Sequence, residues 1–479
     1  MVERCARTLL PLVVGSFCCL CAMASPPVGT LAYTKHVLEK LVQKELDRGL
    51  PSISLSLVKG DQIVWSAAFG YANVGLKAPA TAETLYMTAS TLKSVTATAI
   101  LTLVDQGKCK LDDPVNKYLG DKGVEDNPSD SVTVRSLLDH TSGLSDQGGQ
   151  DGRYQVRVWD RHRPDVASLV DIAPTLKTQE PVGQTWRYNN SAYGLAGLLI
   201  EKISGIPYEQ YIVENVLVPV GATNTHPITP HAKMVEMMAF NYERLDSGEF
   251  QPTEHVYMGF PSAGGARVKA EDMARFLGAH INGGRFNGNQ ILSKALVDEG
   301  HKISKEKYGL GWWSYVDDAG HTRIAGAGRW HSAVTAMLGD KDAKVGAYVM
   351  TNIGTTQATF RIADAAIRLL RGEQVNPQGR EPVHLEPLQW DRLAGSYKQA
   401  DGLQITLRRE NNSLKFVYPQ YQPYNGVIWT YLPASETVLF EPDMGMELEF
   451  HENDAGDIEG FTMRQHGFLD YGFTRKISD

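Results

Sequence analysis

Hydrophobic residues between positions 31 and 371 recur at both helical and strand spacing. A helix is predicted around 38–46. Alternating hydrophobic residues in 53–58 and 63–69, separated by Gly60-Asp61, predict a β-hairpin. Later segments predict helices over 90–104, 191–203, 270–281 and 358–370, and a buried strand over 345–351. Strands near both ends with helices between them indicate an α+β sandwich, in which helices cover an antiparallel sheet.

The hydrophobic pattern changes after residue 372. Three prolines fall within residues 373–387, where hydrophobic periodicity is weak, and this predicts a linker. Beyond it, short alternating segments separated by turns rich in Asn, Asp and Gly predict antiparallel strands. Fourteen aromatic residues lie between positions 390 and 473, a density that favours a small closed or nearly closed β-barrel. The predicted domains are therefore 30–372 and 388–479.

The first 24 residues differ from the rest of the chain. Arg4 and Arg7 precede an apolar run over 9–23, and Ala22-Met23-Ala24 supplies small residues for cleavage. This layout is typical of a cleavable secretory signal over 1–24, and it predicts an exported protein. An uncleaved anchor helix and a lipid anchor are the alternatives. Four of the five cysteines lie in this segment, so the exported chain keeps only Cys109, as a structural residue without a disulfide.

Length and charge narrow the classes of function. A chain of 479 residues is long enough for two domains. The net charge of −8 and the pI of about 5.9 do not suggest a phosphate-binding surface, so no nucleic-acid partner is expected. No later stretch is long and apolar enough to span a bilayer, so no stable membrane insertion is expected after signal removal.

Ser90-Thr91-Leu92-Lys93 is the first candidate for chemistry. A serine at the start of a helix has its backbone N–H among the unpaired donors there, which suits it to bind an oxyanion. Lys93 follows almost one helical turn later and projects on the same side. A desolvated lysine loses its proton more easily and can accept the proton of the serine hydroxyl. Taken alone, the string is better explained by an N-capping serine and a solvated lysine.

Tyr188-Asn189-Asn190 is the second candidate, just before the apolar segment 192–200. A phenol and a carboxamide two residues apart in a loop can point into one cleft. There the phenol relays a proton, and the amide binds either a substrate carbonyl or the lysine. Taken alone, this string is better explained by a turn with a packed tyrosine.

These two motifs occur with further strings in the order of a known family. The strings are LLDHTSGL at 137–144, AGG at 263–265, NGG at 282–284, YGLGW at 308–312 and TN at 351–352. Over residues 31–371 the chain resembles the serine β-lactamase-related family, which includes class C β-lactamases, D-alanyl-D-alanine carboxypeptidases and esterases. The resemblance implies a β-lactamase/penicillin-binding-protein-like sandwich. The C-terminal β-domain resembles the lipocalin-like barrels that accompany several such peptidases and esterases.

The resemblance implies acyl transfer through a covalent intermediate on Ser90. Lys93 and Tyr188 would share the acid and base work, and Asn190 would orient Lys93 and the substrate. Lysine and tyrosine both titrate near about 10, so at least one pKa must be lowered for action at neutral pH. His140 and Ser142, in the most recognisable string, are assigned to structure because such a segment ends a helix and fixes a turn. No metal and no organic cofactor are implied.

This chain differs from the family pattern in the third motif. Relatives carry Lys-Thr-Gly or His-x-Gly on the strand beside the nucleophile, whereas this chain has Gly326-Ala327-Gly328. Arg329 is expected to keep the backbone donor, but glycine replaces the cation and is expected to open space beside Ser90. Arg323, the Arg329 side chain and His331 are the alternative cations. The departure predicts weak recognition of a free carboxylate.

The sequence therefore predicts an exported serine hydrolase acting on an ester or amide, with a small molecule or peptide as substrate. One alternative is a catalytically weak or dead scaffold that serves as a binding protein. Another is a D-amino-acid-specific peptidase or β-lactamase. The β-domain is as readily explained by stabilisation or oligomer contact as by substrate gating. The oligomeric state is left open.

Overall fold

The structure is a computed structural model. It describes residues 26–127, 129–146, 155–157, 173–222, 236–244, 250–253, 256–258, 260–330, 333–354, 356, 358–376, 382–400, 402–417, 428–441, 446–465 and 469–475. The predicted signal at 1–24 lies outside these residues, and export stays a prediction. Within the described part of the chain, no helix is both long and apolar enough to cross a membrane.

Each helix predicted from the hydrophobic spacing is present. The α-helices are α1 (Leu31–Asp47), α2 (Leu92–Asp105), α3 (Asn116–Leu119), α4 (Val134–Leu138), α5 (Asn190–Ser204), α6 (Tyr208–Ile212), α7 (Ala270–Ile281), α8 (Lys294–His301), α9 (Ala358–Leu370) and α10 (Pro387–Leu393). Short 3₁₀ turns occupy Ala89–Thr91, Gly120–Lys122, Ala173–Thr175, Val218–Val220 and Pro261–Ala263, and Val213–Leu217 is a π-helical turn. The prediction that an α-helix starts at residue 90 is corrected, because a 3₁₀ turn holds Ser90 and α2 starts at Leu92.

An antiparallel sheet forms the centre of the first domain. The strands are β1 (Ser52–Lys59), β2 (Gln62–Asn73), β3 (Ala78–Pro79), β4 (Tyr86–Met87), β5 (Gln155–Arg157), β6 (Tyr242–Arg244), β7 (Phe250–Pro252), β8 (Val256–Met258), β9 (Arg267–Val268), β10 (Arg285–Phe286), β11 (Asn289–Gln290), β12 (Trp313–Val316), β13 (Thr322–Trp330), β14 (Ala333–Asp340) and β15 (Val345–Thr351). The central sheet has the order β12-β13-β14-β15-β1-β2-β3. The predicted hairpin is β1 and β2, and the pairing of β1 with β15 joins it to the later strands.

Helices cover both faces of this sheet, which confirms the predicted sandwich. Strand β1 shows why, because its side chains alternate between the two faces. Leu55 and Leu57 pack into a hydrophobic cluster with α1 and α9. Ser56 points to the other face, where its hydroxyl lies 3.0 Å from that of Ser66, which donates to Glu271 on α7. Helices α2, α5 and α7 build the larger cluster on that second side.

The C-terminal strands close into the predicted antiparallel barrel. They are β16 (Gly395–Gln399), β17 (Gln404–Glu410), β18 (Ser413–Val417), β19 (Ile428–Pro433), β20 (Val438–Phe440), β21 (Met446–Glu452), β22 (Ile458–Gln465) and β23 (Leu469–Arg475). Pairing of β16 with β23 completes the ring. Leu385 and Trp390 also pack into its hydrophobic core. The boundaries 30–372, 373–387 and 388–479 stay a prediction.

Candidate active site

Ser90 lies in a tight turn between β4 and α2. The preceding residue, Ala89, is buried and has a φ of +45°, a left-handed conformation that residues other than glycine rarely adopt. The Thr91 hydroxyl donates to the carbonyl oxygen of Thr88 at 2.8 Å and closes the turn. Strained backbone of this kind persists where its surroundings hold it, and it is concentrated at functional sites.

Lys93 is deeply buried, with 1% of its surface exposed. Its Nζ lies 3.1 Å from Ser90 Oγ, 2.8 Å from Asn190 Oδ1 and 2.8 Å from the carbonyl oxygen of Ala263. Burial lowers the pKa of Lys93 to about 7, although the charge of Asp146 opposes the shift. A large fraction of Lys93 is therefore neutral near pH 7 and able to accept a proton.

Tyr188 reaches the same serine from the other side. Its hydroxyl hydrogen-bonds the Ser90 side chain, and its ring centroid lies 4.8 Å from Lys93 Nζ. Desolvation raises the pKa of Tyr188 above its ordinary value, so the phenol stays protonated at neutral pH. Of the two groups expected to share the base work, Lys93 has the lowered pKa, and Tyr188 is suited to donate a proton.

The start of α5 explains the spacing of the Tyr-Asn-Asn string. Asn189 caps the helix, since its side chain accepts the N–H of Ala192 at 2.8 Å and donates to the carbonyl oxygen of Leu144 at 2.7 Å. The residues on either side of the cap, Tyr188 and Asn190, both reach the Ser90–Lys93 pair. The structure therefore brings together the four residues of the two motifs.

Gly328 brings strand β13 against the nucleophile. A Cβ at this position would lie 3.1 Å from the backbone nitrogen of Ser90, 2.7 Å from the carbonyl oxygen of Thr88 and 2.2 Å from Thr335 Oγ1. Any side chain here would push β13 away from the turn that holds Ser90. Glycine is required by this close approach, which leaves the backbone of β13 beside the Ser90 backbone N–H.

Gly326 does not open space as the sequence suggested, and that expectation is wrong. A Cβ at this position would lie 2.8 Å from Met337 Cε and 3.5 Å from Ser94 Oγ. Met337 faces Gly326 across the β13–β14 pair and is fully buried. An apolar thioether therefore fills the volume beside the position where relatives carry a cation.

Several known proteins are similar to this chain over much of its length. The Beta-lactamase family model matches residues 38–371. The chain is 26% identical over 417 residues to penicillin-binding protein 4* of Bacillus subtilis, covering 82% of this chain and 88% of the relative. It is 25% identical over 348 residues to a putative D-alanyl-D-alanine carboxypeptidase of Escherichia coli, covering 64% of this chain and 80% of the relative. An octameric penicillin-binding protein homologue from Pyrococcus abyssi has a TM-score of 0.62 and 24% identity, covering 92% of this chain and 99% of that one.

The chain belongs to the beta-lactamase family. Members of the family are serine hydrolases, and this protein is a serine hydrolase too. The predicted family resemblance and fold are thereby confirmed. The individual roles of Ser90, Lys93, Tyr188 and Asn190 rest on the geometry above.

Two of the three alternative cations of this beta-lactamase family member, Arg323 and Arg329, lie among the residues that the structure describes. Arg323 is 2% exposed and pairs with Asp317 at 2.9 Å and with Asp364 at 3.3 Å, so it does not replace the missing cation. Arg329 lies an even number of residues further along β13, so strand alternation places its side chain on the same face as Arg323, away from α2. His331 lies outside the described residues.

Two further residues near the site were not among the catalytic or binding candidates chosen from the sequence. Asp146 accepts hydrogen bonds from the backbone N–H and the hydroxyl of Ser191, at 3.1 and 3.0 Å, and its charge acts on Lys93. His140, assigned to structure, has its ring centroid 4.4 Å from that of Tyr188. Both lie in or just after the LLDHTSGL string, which was the available signal.

One other group of ligand-type side chains lies elsewhere in the described part of the chain. His321, Asp340 and Asp342 place potential ligand atoms within 4.8 Å of one another. Arg371 Nη1 already lies 3.1 Å from Asp340 Oδ2, and two backbone N–H groups bind Asp340 Oδ1. These contacts neutralise the buried carboxylate, so we assign no metal to the group.

Proposed function

We propose that this protein cleaves a neutral ester or amide through an acyl-enzyme on Ser90, with Lys93 as the base. The set of contacts around Lys93 Nζ carries the proposal. Asn190 Oδ1 and the Ala263 carbonyl oxygen are acceptors, and each takes one N–H of the amine. In neutral lysine the remaining position is the lone pair, and it faces Ser90 Oγ at 3.1 Å. A solvated lysine beside an N-capping serine would show neither the burial nor these contacts.

The chemistry follows from this arrangement. Lys93 takes the Ser90 proton as Oγ attacks the carbonyl carbon, and the Ser90 and Arg329 backbone N–H groups stabilise the oxyanion. Tyr188 gives its proton to the leaving alcohol or amine and regains one from Lys93. Water then attacks the acyl carbon by the reverse path, and it releases the acid and free Ser90. Because the base must be neutral, the rate is expected to fall as the pH drops below about 7.

The proposed substrate class follows from Gly326 of β13, which has no positively charged side chain. A carboxylate recognised beside the nucleophile needs a cation, whereas the groups nearest to a Cβ at Gly326 are the buried Met337 side chain and the Ser94 hydroxyl, neither of which is charged. Arg323 is held by two carboxylates on the other face of the sheet. A neutral group is therefore the better partner at this position. Trp330, which packs with Met87 and Ala333, adds further apolar surface at the same end of β13.

Two alternative functions follow from the sequence. The names of the relatives, a penicillin-binding protein and a putative D-alanyl-D-alanine carboxypeptidase, favour a D-amino-acid-specific peptidase or β-lactamase. The absence of a charged side chain at Gly326, and the ion pairs that hold Arg323, argue against both within the part of the chain that the structure describes. A binding protein on a dead scaffold is disfavoured by the buried Lys93, whose desolvation is costly without a catalytic use.

We further propose that the protein is exported. The basic and apolar pattern of residues 1–24 supports export. Penicillin-binding proteins and D-alanyl-D-alanine carboxypeptidases such as the relatives above are cell-envelope or exported enzymes. Detection of a mature N-terminus at residue 25 in protein recovered from outside the cytoplasm would test this, and a full-length cytoplasmic chain would contradict it.

Covalent labelling tests the nucleophile. A fluorophosphonate probe is expected to label the wild-type protein, with mass spectrometry placing the adduct on Ser90. Ser90→Ala is expected to abolish labelling and to lower kcat by several powers of ten while the fold stays intact. Ser94→Ala is the matched control, because Ser94 lies on α2 but donates to the carbonyl oxygen of Gly311. An adduct on another serine would refute the assignment, and an unreactive wild-type protein would favour the binding-protein alternative.

A further inference from the structure

His140 occupies an unusual position for a residue that merely ends a helix. It follows α4 with a φ of +62°, the left-handed region that favours glycine or asparagine, and it is 1% exposed. Its backbone oxygen accepts the N–H of Arg187 at 2.9 Å. Its Nδ1 accepts the N–H of Asn189 at 3.1 Å. One histidine therefore binds the backbone on both sides of Tyr188.

The imidazole ring also packs directly against the phenol. Ring centroids of His140 and Tyr188 lie 4.4 Å apart with an interplanar angle of 40°. Tyr308 at 4.9 Å, Tyr193 at 5.1 Å and Trp186 at 5.9 Å surround the same imidazole. The Tyr188 phenol thus has an aromatic support on the side away from solvent.

The hydrogen bonds fix the charge and tautomer of this imidazole. Because Nδ1 accepts a backbone N–H, the single proton of the neutral ring lies on Nε2. Nε2 is buried and has no hydrogen-bond partner among the residues that the structure describes. Burial, together with the charge of Lys93, lowers the pKa of His140 well below its ordinary value. A second cation next to Lys93 is thereby avoided.

We propose that His140 is a positioning residue, whose neutral imidazole holds the Tyr188 phenol against Ser90. The proposal rests on two kinds of contact. His140 hydrogen-bonds the backbone on both sides of Tyr188, and its imidazole packs against the Tyr188 ring. His140 touches neither Ser90 nor Lys93 through a hydrogen bond among those described, so it acts through Tyr188. The inference rests on the proposed function, in which Tyr188 donates a proton to the leaving group.

His140→Asn is the variant that separates positioning from folding. The asparagine amide oxygen can take the place of Nδ1, and asparagine tolerates the left-handed conformation. The variant therefore keeps the hydrogen bond to Asn189 and loses only the ring behind Tyr188. We expect cooperative thermal unfolding to persist and Ser90 labelling to remain detectable. We expect kcat to fall about ten- to a hundredfold with a smaller change in KM, as for a misplaced proton donor.

A double-mutant cycle with Tyr188→Phe gives the decisive readout. If His140 acts through the phenol, adding His140→Asn to Tyr188→Phe should lower kcat less than about threefold. Full multiplication of the two losses would show a general structural role and overturn the proposal. Unchanged kcat in folded His140→Asn would also overturn it. A fully active Tyr188→Phe would instead refute the proposed function itself.

A second variant covers the case in which His140→Asn fails to fold. His140→Phe keeps a ring behind Tyr188 and removes the Nδ1 acceptor, and it is put through the same cycle. A folded His140→Phe with non-additive loss alongside Tyr188→Phe supports positioning, and multiplied losses overturn it. Failure of both variants to fold would assign His140 to fold stability and would also overturn the proposal.

Discussion

The interiors of the two domains differ in what they bury. The first domain buries titratable side chains, among them Lys93, His140, His280 and His301. Among the described residues of the barrel domain, the buried side chains are aliphatic, aromatic or methionine, apart from Glu441, which is 5% exposed. Phe461, for example, lies 4.8 Å from both Tyr397 and Phe473, measured between ring centroids. Desolvating a titratable group costs free energy, and Lys93 and His140 carry this cost close to Ser90.

This difference separates catalytic groups from groups that stabilise the fold. Buried polar groups with shifted pKa values mark functional sites more often than apolar cores do. We therefore expect changes in the Lys93 pocket to affect rate, and changes in the barrel core to affect stability. Four predictions test this separation, from the largest effect to the smallest.

Lys93→Ala and Tyr188→Phe should each lower kcat/KM by about a thousandfold or more, because one removes the base and the other the proton donor. The double variant should be less than about fivefold worse than the poorer single variant, since both act on one proton path. Steady-state kinetics on a p-nitrophenyl ester measures all three. Lys117→Ala, at a residue whose side chain is 55% exposed, is the control and should leave the rate unchanged. Fully multiplied losses would mean that the two residues serve separate steps.

Phe461→Ala should lower the free energy of unfolding of the barrel by about 3–5 kcal/mol, because it opens a cavity in an apolar core. The kcat/KM of the enzyme that stays folded should remain within twofold of wild type. Thermal unfolding followed by aromatic fluorescence, with activity measured well below the transition, checks both. Arg408→Ala, on the barrel surface, should change neither quantity. A large loss of kcat without unfolding would show that the barrel takes part in catalysis.

A neutral ester or amide should be cleaved about ten to a hundred times more efficiently than its matched analogue with a free carboxylate. A charge-assisted hydrogen bond is worth about 1.5–3 kcal/mol, and the Gly326 site lacks it. The comparison is kcat/KM for the two substrates, with a chromogenic cephalosporin alongside. Gly326→Lys would attempt to restore the cation, although Met337 must move to admit it. Faster turnover of the free acid or the cephalosporin by the wild-type enzyme would place a cation near Ser90 after all.

The buried histidine pair His280–His301, which contacts Thr98 of α2, should make the first domain sensitive to acid. His280 Nδ1 lies 3.1 Å from His301 Nε2, and His280 Nε2 lies 3.0 Å from Thr98 Oγ1. Burial, with a smaller contribution from Lys341, lowers the pKa of His280 from 6.5 to about 3. At pH values between these two pKa values, the unfolded chain therefore binds more protons than the folded protein. The contribution of His280 to the free energy of unfolding is complete at pH values above the pKa that the residue has in the unfolded chain. As the pH decreases below that pKa, the contribution falls by up to about 1.4 kcal/mol per pH unit.

The free energy of unfolding, measured between pH 7 and 4, should follow this slope. His280→Gln should flatten the slope even where it lowers stability at pH 7. His384→Gln is the control, since the side chain of His384 is 73% exposed. An equal slope in wild type and His280→Gln would show that the acid sensitivity has another origin.

Local sequence pattern determined much of the fold. Helical spacing placed α7 and α9 at their observed bounds, and period-two alternation placed the β1–β2 hairpin. These patterns are readable because side-chain periodicity depends only on neighbours along the chain. Ser90, Lys93, Tyr188 and Asn190 were chosen through the resemblance of the combined motif strings to a known family, because each string taken alone is better explained without catalysis.

Only the tertiary structure decided what those residues are able to do. The partners that bury Lys93 lie 97 and 170 residues away along the chain, so no local pattern predicts its lowered pKa. The same holds for Met337 beside Gly326 and for the ion pairs that hold Arg323. His140 was assigned to structure because its string describes a turn, whereas its place behind Tyr188 depends on how α4 and α5 pack. Burial and electrostatic environment are set by residues far apart in sequence, and they determine proton affinity at the site.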